Sequence, residues 1–263
     1  MGGLGLSTRF RFPRMARILI AGALILALVG AWVSVRPRLP AAERGRRLAE
    51  RTGCFGCHGP SGTRGAANPG RSDGSVPGFQ GDVMMYAKNP REIREWIRDG
   101  VTAARAGSRT WREQRERGAL KMPAFGRRLG PSAIDDLVAF VQVMSGAPEP
   151  ADSVARHGIA RAEALGCTGC HGPGGRLARP NPGAFKGYVP SWDGADFAEL
   201  VRDRAEFGEW VDHGVSRRLG RNAVARWFLH RAVLQMPAYA DHLEAGDLDA
   251  LWSYVQWLRG LDH

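Results

Sequence analysis

Apolar positions along the 263-residue chain fall into one unbroken run and several short periodic ones. The unbroken run is residues 18–35, uncharged throughout and preceded by Arg9, Arg11, Arg14 and Arg17. A run of this length matches the thickness of a bilayer and exceeds a usual signal-peptide core, and its basic flank belongs on the cytoplasmic side. The expectation is a transmembrane signal anchor at 18–35, a basic cytoplasmic tail at 1–17 and a proline-stiffened tether at 36–40. The competing reading is a cleaved leader ending at Val29-Gly30-Ala31. Both readings export the remainder, to the periplasmic side of an inner membrane. Beyond the tether, apolar residues recur at helical spacing over 43–51, 91–99, 133–144, 154–165, 206–213 and 248–258. The segments at 91–99 and 206–213 each stop before a glycine, a natural helix terminus. No period-two strand pattern of any length occurs, so the fold class is expected to be all-α.

The periodic segments repeat. At an offset of 113, Gly45 matches Gly158, Cys54 matches Cys167, Asn68-Pro69-Gly70 matches Asn181-Pro182-Gly183, and Val76-Pro77 matches Val189-Pro190. At 114, Trp96 matches Trp210, Gly100 matches Gly214, Met122-Pro123-Ala124 matches Met236-Pro237-Ala238, and Phe140 matches Tyr254. This predicts two tandem domains, 41–146 and 152–263, joined by a short linker at 147–151.

All four cysteines sit in two copies of one motif, Cys54-Phe55-Gly56-Cys57-His58 and Cys167-Thr168-Gly169-Cys170-His171. Cys-x-x-Cys-His is the attachment signature of c-type haem. Two thiols at this spacing can both bond the vinyl edge of one haem, and the next residue places an imidazole under the iron. A redox dithiol or half of a zinc site needs no histidine after each pair. Two covalently bound haems are therefore expected, on Cys54 and Cys57 with His58, and on Cys167 and Cys170 with His171.

The opposite axial positions point to methionine. Residues 41–150 hold a single histidine, His58, so a second imidazole for the first iron is not to hand in that half. Met122 and Met236 correspond under the repeat and each precedes proline. Met84, Met85 and Met144 compete with Met122, and His157, His213, His230 and His242 compete with Met236. A thioether is a soft ligand that favours Fe(II) and raises the potential.

On these residues both halves resemble class I cytochrome c domains: an early Cys-x-x-Cys-His, an Asn-Pro-Gly about eleven residues on, and a late Met-Pro. As a tandem the chain is similar to dihaem cytochromes of the c4 kind. The resemblance implies that the carbonyls of Pro69 and Pro182 accept the Nδ1–H of the proximal histidines. It also implies that Gly45 and Gly158 admit Phe140 and Tyr254 where the first and last helices of each half cross.

Charge narrows the function. The net charge of +11 divides into +6 for residues 1–40, +6 for 41–150 and −1 for 151–263. Half the excess lies in the tail, which argues against a nucleic-acid partner. A six-coordinate His/Met iron has no open position, so no small-molecule substrate and no catalytic residues are expected. The expected function is a membrane-anchored relay of single electrons between redox proteins. The alternative is an electron-transfer subunit of a larger dehydrogenase or oxidase complex, and a dihaem peroxidase ranks below both. The basic run from Arg105 to Lys121 makes the first domain the expected dock for an acidic partner.

Overall fold

Helix caps written in the sequence set several element starts. Asn89, Asp152 and Asp203 each accept a backbone N–H with their side chains, from Glu92, Ala155 and Glu206. The computed structural model describes residues 14–36, 39–81, 83–146 and 148–261. Its helices are α1 (Arg14–Val35), α2 (Ala41–Arg51), α3 (Cys54–His58), α4 (Val83–Tyr86), α5 (Pro90–Asp99), α6 (Ala103–Gly107), α7 (Arg109–Arg117) and α8 (Pro131–Met144). There follow α9 (Ser153–Ala164), α10 (Cys167–His171), α11 (Ala195–Leu200), α12 (Arg204–His213), α13 (Arg217–Arg221), α14 (Ala223–Arg231) and α15 (Asp247–Arg259). A two-residue antiparallel pair, β1 (Arg179–Pro180) and β2 (Tyr188–Val189), is the sole named sheet among the described residues.

The chain divides into two compact units, Met1–Pro37 and Arg38–His263. The first holds α1 and corrects the expected membrane span. Among the described residues no helix is long and apolar enough to cross a membrane. α1 opens on Arg14 and Arg17, so the apolar part of this 22-residue helix begins only at Ile18. Residues 1–13, most of the expected cytoplasmic tail, lie outside the described residues, as do 37–38 of the tether and Ala147 of the linker.

In the second unit α2 packs on α8, and α9 on α15. A Cβ on Gly45 would lie 1.9 Å from the Asp136 carbonyl oxygen and 2.9 Å from Phe140 Cβ. On Gly158 it would lie 2.1 Å from the Ala250 carbonyl oxygen and 2.8 Å from Tyr254 Cβ. Only glycine lets the backbones approach this closely. One core gathers Ile93, Ile97, Leu137, Val138, Phe140 and Val141 around α2, α5 and α8. The other gathers Phe197, Phe207, Trp210, Leu251, Tyr254 and Leu258. Leu177, six residues past His171, belongs to the first core rather than the second.

Candidate haem centres

Each Cys-x-x-Cys-His forms one short helix, α3 or α10, entered through a left-handed glycine, Gly53 or Gly166. Cys54 and Cys167 are half-buried and Cys57 and Cys170 exposed, all four as free thiols. Burial pushes the Cys54 and Cys167 thiols above their ordinary range.

The two histidines are held alike. His58 Nδ1 lies 2.8 Å from the Pro77 carbonyl oxygen, and His171 Nδ1 lies 3.0 Å from that of Pro190. A carbonyl can only accept, so Nδ1 carries the proton and Nε2 keeps its lone pair for a metal. Burial lowers both imidazoles' affinity for a second proton, though the carbonyls pull the other way. Phe79 lies against His58 with ring centroids 4.7 Å apart, and Trp192 against His171 at 5.1 Å.

These contacts correct the role expected of Pro69 and Pro182. Their carbonyls are taken by the backbone N–H groups of Ala119 and Val233, at 2.9 and 3.0 Å. The histidine acceptors are the next prolines along the chain. The repeated Val-Pro pairs were the available signal, but a backbone acceptor leaves no mark in side-chain identity.

In the second half, Cys167, Cys170, His171 and Met236 line one cleft of about 800 Å³. Its walls include Leu200, Val201, Phe207, Val211, Leu229 and Val255. An apolar cleft of this size, with two thiols, an imidazole with a free Nε2 and a thioether on its walls, fits a haem. In the first half, Cys54, Phe55, Trp96 and Met122 all lean on the first core. Met122 and Met236 are seated identically: a Cβ on Gly100 would lie 2.5 Å from the Met122 carbonyl oxygen, and one on Gly214 would lie 2.3 Å from that of Met236.

Position separates some of the competing ligands. Met144 is buried in the first core and Met85 is exposed, while the side chain of Met84 lies outside the described residues. His157 pairs with Asp247 at 3.7 Å and His242 is exposed. His213 and His230 both line the second cleft. The indoles of Trp96 and Trp210 donate to backbone carbonyls, of Tyr86 at 2.9 Å and Leu200 at 3.0 Å.

The two basic runs differ in the acids they contain. In the first half Arg109 pairs with Glu113, and Lys121 and Arg115 pair with Glu116, which leaves Arg105, Arg112 and Arg117 without a salt bridge among the described residues. Residues 214–236 contain five arginines and no acid. Arg217 and Arg218 pair with Glu209 and Glu206, whereas Arg221, Arg226 and Arg231 make no salt bridge among the described residues. Arg231 instead lies over the exposed Trp227 ring, 4.4 Å from its centroid.

No curated protein matches the chain. A chain of the reducing HAO-like protein complex of Kuenenia stuttgartiensis aligns over 84% of this chain and 99% of its own, at 17% identity and a TM-score of 0.25. The family model for cytochrome c matches residues 42–145. Cys54, Cys57, His58 and Met122 all fall inside that match, which covers the first repeat and none of the second.

Proposed function

We propose that the chain is a dihaem electron carrier, with one covalent haem c in each half. Cys54 and Cys57 attach the first and Cys167 and Cys170 the second. His58 and Met122, and His171 and Met236, take the axial positions. When bound, the group supplies one-electron oxidation and reduction at iron. The residues around it do the rest. The Pro77 and Pro190 carbonyls fix each imidazole and raise its basicity. The apolar walls keep water out, and the thioethers favour the reduced state. With both axial positions filled by protein, no site remains for a substrate, which makes the chain a carrier rather than an enzyme. The partners are other redox proteins, met outside the cytoplasm, and the acid-free rim at 214–236 suits an acidic one.

The observation that carries this reading is the recurrence, in both halves, of a carbonyl-held imidazole with a glycine-seated methionine. The test is direct. Denatured protein retains covalent haem and the mass of two haems, and the ferric near-infrared band of thioether ligation is present. Met122→His halves that band and lowers the potential of one haem. A single haem, or a full band after Met122→His, overturns the assignment.

A further inference from the structure

The Asn-Pro-Gly triplets, repeated in both halves, do not touch the histidines they follow. All three residues of each triplet grip the segment that leads into the methionine. Asn68 Nδ2 donates to the Leu120 carbonyl at 2.9 Å, and the Leu120 N–H donates to Asn68 Oδ1 at 2.8 Å. Asn181 does the same to Leu234, at 2.9 and 2.8 Å. Both asparagines are 4% exposed, so neither bond is shared with bulk water. The Pro69 and Pro182 carbonyls take the preceding N–H, of Ala119 and Val233. Gly70 and Gly183 stand where a Cβ would lie 2.0 Å from the carbonyl oxygens of Arg117 and Arg231.

The gripped residue lies two positions before the methionine in each half. Downstream, Phe125 N–H donates to the Ile97 carbonyl at 3.0 Å, and Tyr239 N–H to that of Val211 at 2.9 Å. The methionine is thus strung between two fixed points. A primary amide alone among the side chains of this length presents a donor and an acceptor side by side, matching the C=O and N–H of one residue. Aspartate keeps the acceptor and loses the donor.

We propose that Asn68 and Asn181 are positioning residues for the axial methionines, each clamping its methionine segment so that the thioether stays at the iron against competing ligands. This rests on the haem reading above. An iron–thioether bond is weak, so its persistence depends on how tightly the loop is held near the metal.

The experiment uses the full-length ferric holoprotein and imidazole as competitor, with the near-infrared band as the readout. The wild-type chain is checked first for covalent haem and for the band; absence of either removes the reading on which the clamp rests, before any variant is made. In Asn68→Ala, half of the band is expected to disappear at about tenfold lower imidazole, the loss of two buried hydrogen bonds. The other half titrates as in the wild type. Asn181→Ala gives the mirror result. Asn68→Asp, which still accepts from the Leu120 N–H, falls between. If the alanine variant does not mature, Asn68→Asp and Gly70→Ala carry the test. An asparagine that serves only general stability lowers the melting temperature and leaves the imidazole titration unchanged. That outcome, or equal loosening of both haems by one substitution, overturns the proposal.

Discussion

Asp73 accepts hydrogen bonds from the Arg71 guanidinium, at 2.9 Å, and from the Tyr86 hydroxyl. The Arg71 bond above all holds its carboxyl well below the usual range, at about 2. A carboxylate depressed on folding contributes stability that is present above its unfolded pKa, near ~3.9, and is lost as pH falls through the folded value. Asp73→Asn is therefore expected to lower the urea midpoint at pH 7, with the gap to wild type closing between pH ~4 and ~2. A gap that stays constant with pH would show that packing, not charge, is what the substitution removes. The motif residues were the legible ones. Cys54, Cys57 and His58 stand at the fixed spacing that the proposed haem attachment needs, and that spacing is written in the chain. The acceptors of the imidazole protons were not, because every residue carries a carbonyl, and folding alone selects Pro77 over Pro69.

The crossing of α2 over α8, and of α9 over α15, depends on Gly45 and Gly158. A methyl group at Gly45 meets the backbone of Asp136, which cannot rotate away as a side chain could. Gly45→Ala is expected to cost about 1–3 kcal/mol by overpacking, read as a lower denaturant midpoint. Unchanged stability would mean that the helices slide apart freely. These helices were readable because their apolar stripes face a core. α7 and α14 were not. α7 is charged around most of its surface, with Trp111 its one buried residue, and α14 has no buried residue. Their starts are set by single caps, Ser108 and Asn222, which a periodicity reading passes over.

Summed over each half, charge points to the first half as the basic one, yet local pairing levels the two basic runs. Glu113 and Glu116 pair with Arg109, Arg115 and Lys121 and leave Arg105, Arg112 and Arg117 without a salt bridge among the described residues, and Arg221, Arg226 and Arg231 are left likewise in a segment that holds no acid at all. Reversing these three to Glu is expected to slow electron exchange with an acidic flavodoxin more than reversing Arg109, Arg112 and Arg117. The difference should shrink as salt rises from 0.01 to 0.1 M and the Debye length falls from about 30 to about 10 Å. Equal losses from both triples, measured by stopped flow, would count against a directional dock. The two halves differ also in how they meet. Leu177 is buried in the first core, and its repeat counterpart 113 positions earlier, Arg64, is exposed. A head-to-tail contact between copies of one unit could in principle extend into a string of any length. Arg64 gives the first copy no such plug. In the grammar of repeat arrays the contact therefore runs one way, from the second copy into the first.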